Sequence, residues 1–315
     1  MSGRARLAMF FVFSLVGSRL SAQLVSTDDH IGTDFLQPQL TAGYSAASER
    51  LFKDIDGRFD ASTASIAAAV PVYRSRSTDV SPSGSCFVLA RGSFSSLKPE
   101  ISFLPSADVV YRTSFGMTAG ISTTGNHLYL LTLEVGMSED GRTISNPRLR
   151  PTGSLVGKYH LDDSFAFFYG LSYSYTFNRG LVLPLLGTRC VLATDLQLHM
   201  ILPLSMEIDY QEAPALHFGL VVRAEGDQIH FDDRGIFGPQ TLPLYIKIAQ
   251  VQGAVNVSVG LGDGFWLDGE AGMLRGRKFA VGTLNDNLVS SDIENSGYST
   301  IMLKYELGPA ISWGN

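Results

Sequence analysis

The chain has 315 residues, 45% of them hydrophobic and only 17% charged, with 24 basic against 30 acidic side chains. A net charge of −6 with no basic cluster argues against a nucleic-acid partner, which needs Lys and Arg to neutralise phosphates. No run of 18 apolar residues follows the first 22 positions, so the chain does not read as a helical membrane protein.

At the N-terminus Arg4 and Arg6 precede an apolar run, Leu7 to Gly17, and then the small residues of Leu20-Ser21-Ala22. Basic, apolar, small is the order of a secretory signal peptide, which predicts a leader over 1–22 with cleavage before Gln23. The apolar run is too short for a spanning helix, which needs about 20 residues. Losing Arg4, Arg6 and Arg19 with the leader leaves 21 basic against 30 acidic residues, a net charge of −9. Residues 23–37, including Asp28-Asp29-His30, are expected to form an N-terminal arm or plug. No Pro-, Ser- or Gly-rich linker divides the rest, so 38–315 reads as one domain.

From there the chain repeats with period two, the period of strands. The first candidates, 38–47, 62–73, 85–96 and 107–120, alternate weakly. At 127–137, Tyr129, Leu131, Leu133, Val135 and Met137 share one face, and Thr132, Glu134 and Gly136 the other. Another weak candidate is 151–161. The clearest is 164–178: Phe165, Phe167, Tyr169, Leu171, Tyr173, Tyr175 and Phe177 alternate with mostly small or polar residues. A helix would not keep that parity over 15 residues.

A weak candidate at 183–193 precedes 195–210. There Leu196, Leu198, Met200, Leu202, Leu204, Met206, Ile208 and Tyr210 oppose Asp195, Gln197, His199, Ser205, Glu207 and Asp209. Pro203 cannot donate to a ladder, so this segment is expected to be one long strand or a bent one. In 216–224 the residues Leu216, Phe218, Leu220 and Val222 oppose His217, Gly219 and Arg223. In 242–262 the apolar parity flips near Gln250, as a bulge would make it do. The last candidates, 265–273 and 299–307, set Phe265, Leu267, Ala271, Met273, Ile301, Leu303, Tyr305 and Leu307 against Trp266, Asp268, Glu270, Lys304 and Glu306.

Turn chemistry at Glu139-Asp140-Gly141, Asp162-Asp163 and Gly262-Asp263-Gly264 separates these segments. Longer polar stretches at 48–60, 74–84, 140–150, 226–240 and 276–297 read as loops. Segments of about 10 alternating residues, joined by short turns at one end and longer loops at the other, describe a membrane β-barrel. The fold class expected is all-β: a transmembrane antiparallel up-and-down barrel of about 12 strands, within 10–14, since bacterial barrels favour even numbers. Trp313 near the C-terminus continues the outward parity, although two residues follow it.

The segment from Tyr169 to Tyr210 carries a resemblance. Its aromatic–glycine strand (Tyr169 to Phe177), the run Leu183-Pro184-Leu185-Leu186-Gly187, and Leu202-Pro203 followed by Tyr210 resemble an uncharacterised family of Gram-negative outer-membrane β-barrels, classed as a domain of unknown function. The resemblance implies the barrel fold and the cell outer membrane as its address. It implies no activity, because fold alone licenses none.

Function is therefore sought on the inward face and in the loops. The inward candidates for binding are Glu134, His199, Glu207, Asp209, His217, Arg223, Glu225, Lys247, Asp268, Glu270, Lys304 and Glu306. Acids outnumber bases in this set, so a pore lined by it would mildly favour cations. The alternative is a lumen filled by these side chains. Twelve strands fall between the filled 8-strand barrel and the open 16-strand porin. No Gly-x-Ser-x-Gly elbow occurs. His199 and His217, on what read as adjacent strands, are the one pair that could serve catalysis on lipid. Asp54-x-Asp56-Gly57-x-x-Asp60 lacks the spacing and final Glu of a calcium loop and reads as a solvated loop. Cys86 and Cys190 read as free thiols in the wall, with a disulfide as the alternative.

The sequence thus points to a porin-like barrel of structural role or with a narrow passive pore. No enzyme activity and no cofactor or metal are expected. The expected partners are outer-membrane lipid, lipopolysaccharide and the barrel-assembly machinery. A barrel enzyme acting on lipid and a secreted β-sandwich that binds a ligand are the rivals. The sandwich is disfavoured because soluble strands are usually about 5–6 residues.

Overall fold

The computed structural model describes residues 38–75, 86–102, 109–123, 127–162, 164–175, 180–232, 237, 243–283 and 286–307. The leader, the arm at 23–37 and Trp313 lie outside the described residues. The strands are β1 (Gln39–Leu51), β2 (Arg58–Ser75), β3 (Cys86–Ile101), β4 (Val110–Ser122), β5 (His127–Asp140), β6 (Arg150–His160), β7 (Phe165–Tyr175) and β8 (Gly180–Ala193). They continue with β9 (Leu196–Leu202), β10 (Ser205–Ala213), β11 (Leu216–Phe231), β12 (Leu244–Gly262), β13 (Phe265–Gly282), β14 (Asn287–Asp292) and β15 (Ser296–Glu306).

Each strand from β1 to β13 pairs antiparallel with the next, and β15 pairs with both β13 and β1, which closes the sheet. Segments β14 and β15 pair with successive stretches of β13, so together they fill one strand position. The result is a closed up-and-down barrel of 14 strand positions. It falls at the top of the expected range. Closure removes the sheet edges that lipid or another chain could otherwise reach, except above the short β9–β10 pair, where β8 and β11 run on.

The wall has two tiers. At the end with mostly short turns, outward positions are apolar and exposed, as at Leu133, Leu171, Leu186, Leu220 and Ile301. That belt is what a bilayer-facing wall requires. Toward the other end the arrangement inverts. Inward positions become apolar, with Ile229, Ile246, Phe279 and Val281 buried, while outward positions become polar, as at Gln228, His230 and Lys278. This inversion explains why 276–297 read as a loop. Most of it is strand, in β13 and β14, with apolar residues on the inner face. The same holds for 226–231, which belongs to β11.

Two other expectations change. Residues 195–210 form a hairpin, not a single strand. The chain reverses over Pro203 and Leu204, Ile201 pairs with Ser205, and the Leu204 N–H donates to Ile201 O at 2.8 Å. Pro203 has no N–H with which to continue the ladder, and Leu204 points inward and is buried, not outward. Near Gln250 the β12–β13 ladder does shift, but the extra residue is on β13. Gly276 there has φ +58°, a conformation that glycine adopts without a side-chain clash. β12 keeps its parity against β11 throughout. Its apolar residues change face because the environment inverts between the tiers.

Above the hairpin the wall is lower than its neighbours. β11 runs past the end of β10, and its His230 meets Glu139 of β5, with His230 Nδ1 and Glu139 Oε2 2.5 Å apart. The loop after β5 fastens this junction. Asp140 accepts from the N–H groups of Arg142, Thr143 and Asp232, and Glu139 accepts from the N–H of Arg148. Arg112 pairs with Asp227, and Arg150 donates to the carbonyls of Gln228 and Ser138.

Candidate functional site

The barrel interior is divided by composition. In the loop-end tier, residues from β2, β3, β4, β11, β12 and β13 form one apolar cluster, joined by Phe52 and Ile293. The ring centroids of Phe52 and Phe279 are 5.0 Å apart and those of Phe59 and Phe279 6.3 Å. A second apolar cluster fills the β3–β9 sector lower down, built on Phe87, Leu89, Leu130, Val156, Phe168, Leu185, Ile201 and Leu204. Polar and charged side chains occupy what remains.

The inward acids and bases form bonded sets. Glu270, on β13, accepts from Arg223 Nη1 at 3.2 Å, from Gln252 Nε2 at 2.6 Å and from the Tyr298 hydroxyl at 2.6 Å. Glu207 accepts from Asn256 Nδ2 at 3.2 Å. A Cβ on Gly219 would come within 2.0 Å of Asn256 Oδ1 and 2.9 Å of Asp209 Oδ1, so only glycine leaves these groups room. Glu134 is hydrogen bonded to Ser114 and lies beside Arg91. Lys304 lies 3.7 Å from Glu306 and 5.9 Å from the centre of the Trp266 ring. Asp268 also faces inward, opposite Ser258 and Met302 in register.

Ten of the twelve predicted residues therefore sit on the inward face: Glu134, His199, Glu207, Asp209, His217, Arg223, Asp268, Glu270, Lys304 and Glu306. Lys247 does not. It shares the outer face with its ladder partner Gln228 and donates to Asn287 Oδ1 at 3.0 Å. Its assignment failed because apolar residues in that tier mark the inside. Glu225 pairs with Gln250 through its backbone, and its side chain lies outside the described set.

The two histidines are not brought together. His199 pairs with Glu207 on β10, which pairs with Val221, four positions along β11 from His217. Each packs on its own aromatic ring, His199 on Phe168 at 5.3 Å and His217 on Trp266 at 5.4 Å. The acidic motif runs from the β1–β2 turn into β2: Ser291 Oγ accepts from the Asp54 N–H in the turn, and Asp60, within β2, accepts from the N–H of Ala61. Among the described residues no group of His, Cys, Asp and Glu could hold a metal ion. Cys86 and Cys190 are free.

Sequence reasoning missed the inward bases Arg91, Lys158 and Arg189, which are 9%, 2% and 7% exposed. Lys158 lies 5.6 Å from the centre of the Phe168 ring, and Arg189 Nε donates to Gln197 Oε1 at 3.1 Å. Arg277, above the bulge, stands 5.1 Å over the Phe59 ring and bonds Ser296 Oγ at 2.9 Å. These bases offset the inward acids, so the expected acidic lining is not what the interior presents. The signal available was a lone charge in an otherwise apolar or small-residue run. It went unread because β3, β6 and β8 alternate too weakly to assign a face.

No family model matches the chain, and no curated protein does. Among solved structures the chain is similar to an outer membrane channel from Pseudomonas putida F1, at 8% identity and a TM-score of 0.44, over 89% of this chain and 100% of that one. It is similar to the KdgM porin, at 10% identity and a TM-score of 0.31, over 85% and 99%. It is also similar to LpxR from Salmonella typhimurium, at 7% identity and a TM-score of 0.34, over 85% and 100%. These structural neighbours are bacterial outer-membrane β-barrels, and at such identities the likeness concerns the fold.

Proposed function

We propose that this chain is an integral β-barrel of a Gram-negative outer membrane, structural in role and closed to through-flow. The observation that carries the reading is the apolar cluster of the loop-end tier, where Val110, Ile229, Ile246, Phe279 and Val281 are each at most 1% exposed. A water-filled pore needs a continuous polar lining, and this cluster interrupts it. The bonded sets around Glu270 and Glu207 support the same reading, because paired inward charges fill a lumen as well as line one.

The reading includes a cleaved leader at 1–22, lipid and lipopolysaccharide as the surroundings, and assembly by the cell's barrel machinery. Membership of the uncharacterised barrel family resembled at Tyr169 to Tyr210 belongs to it too. We read the chain as no enzyme, since His199 and His217 face different rings. Turnover of phospholipid or lipopolysaccharide that is lost in His199→Ala or His217→Ala would overturn that part. A narrow passive pore is the second reading, favoured by the polar interior below the apolar cluster.

Cell fractionation and liposome swelling test the proposal together. The expected result is recovery in the outer-membrane fraction, heat-modifiable migration on a gel, and no swelling with small sugars. Recovery in the soluble periplasm would reject the barrel's location, and sugar entry would reject closure in favour of the pore.

A further inference from the structure

The wall has a notch. The β9–β10 hairpin ends at Pro203 and Leu204, and its last ladder pairs to the neighbours are Leu186 with Leu202 and Ser205 with Arg223. Both neighbours continue upward. Gly180 to Leu185 of β8 pair only with β7, and Glu225 to Ile229 of β11 pair only with β12 among the described residues. The Ala224 N–H donates to Leu204 O at 2.9 Å and marks the base. Two strand positions are missing above that point, so the base is three inter-strand spacings wide, about 14 Å. The upper end of β11 narrows it by leaning to Glu139 on β5.

Apolar surface surrounds the notch on the outside and lies beneath it on the inside. Val182 is 55% exposed, Leu202 53% and Val222 43%, so the base opens within the outer apolar belt. Beneath it Leu185, Ile201 and Leu204 begin the second interior cluster, which Ala224 packs against. On the β11 side Asp227 and Arg150 hold the Gln228 N–H and carbonyl, and polar backbone groups below them at this depth require a partner in a bilayer. A hydrocarbon chain that also bears an amide or hydroxyl supplies both kinds of contact. In a membrane such molecules are the neighbours of this surface.

We propose that the notch is a lateral binding site through which the acyl chain of a membrane lipid enters the apolar sector of the barrel. This rests on the reading of the chain as an outer-membrane barrel. The acyl chain lies against Leu204 and Leu185, with its polar attachment at the base of the notch, below Gln228 of β11.

The test is fluorescence quenching by lipids with brominated acyl chains, in a Trp266→Phe/Trp313→Phe background. Three single-tryptophan proteins are reconstituted: Leu204→Trp in the notch, Ile246→Trp in the sealed loop-end cluster and Leu171→Trp on the outer belt. The expected result is quenching of Leu204→Trp close to that of Leu171→Trp and at least threefold above that of Ile246→Trp. Quenching of Leu204→Trp no greater than that of Ile246→Trp overturns the site. If Leu171→Trp is itself unquenched, the membrane reading fails, and the site with it. Should a tryptophan variant not fold, Ala224→Cys in a Cys86→Ala/Cys190→Ala background gives a second measurement. It is expected to react at least tenfold faster with a bilayer-partitioning maleimide than with a sulfonated, membrane-impermeant one, relative to a free thiol. Equal or reversed rates overturn the proposal.

Discussion

Replacing Phe279 by alanine removes the ring at the centre of the loop-end cluster. The side chain is 1% exposed and meets two rings, those of Phe52 and Phe59. Truncating a fully buried Phe costs about 3–5 kcal/mol, of which each edge-on or tilted ring pair supplies about 0.5–1.5. The wall around the cavity is a hydrogen-bonded ladder that cannot collapse inward, so the cost should lie at the upper end. Urea unfolding in lipid vesicles, followed by Trp fluorescence, measures it. A cycle with Phe52→Ala should give a coupling of about 0.5–1.5 kcal/mol. The outer-belt variant Leu171→Ala should cost less than either, because that side chain is already exposed to the surroundings. A loss below about 1 kcal/mol for Phe279→Ala, with no coupling to Phe52, would refute the claim that this tier is a packed core.

Glu270→Ala takes this carboxylate from Arg223, whose side chain is 13% exposed, and should cost about 3–5 kcal/mol in the same unfolding assay, while Arg223→Met/Glu270→Met should recover part of that. A double variant no more stable than Glu270→Ala would show that the loss comes from Gln252 and Tyr298, which also bond Glu270, and not from Arg223. Leu133→Arg, at a position 59% exposed on the outer belt, should cost about 2–4 kcal/mol in bilayers. A neutral effect there would mean that the position does not face lipid. Glu139→Gln keeps the shape of the β5–β11 junction but weakens its bond to His230, so hydrogen exchange at residues 228–231 should accelerate while that at 216–222 is unchanged. Unaltered exchange at both would remove the junction from its fastening role.

How far the fold could be read depended on which residues the bilayer-like belt touches. Phe165 to Tyr175 was legible because one face is almost wholly aromatic and apolar and the other mostly small or polar, and the structure keeps that parity through Tyr173. Residues 278–292 were not legible as strand. Above the belt the outward residues turn polar and Phe279, Val281 and Ile293 turn inward, the reverse of the rule that served lower down. Pro203 was recognised as a break, but a proline marks where a ladder stops, not where the chain goes next. The hairpin it begins sets Leu204 inside. For the interior, Glu270 and Arg223 were found separately from strands of good parity. Their meeting, with Gln252 and Tyr298 around them, depends on a register that no single strand reveals. His199 and His217 failed as a pair for the same reason, since the unseen hairpin placed a strand between them.

Planar-bilayer recording of the purified full chain tests closure most directly. The wild type should show no stepwise conductance over a wide voltage range, with current steps emerging only when the apolar tier is opened, as in Phe279→Ala. Steady ohmic conductance in the wild type, unchanged by Phe279→Ala, would contradict it.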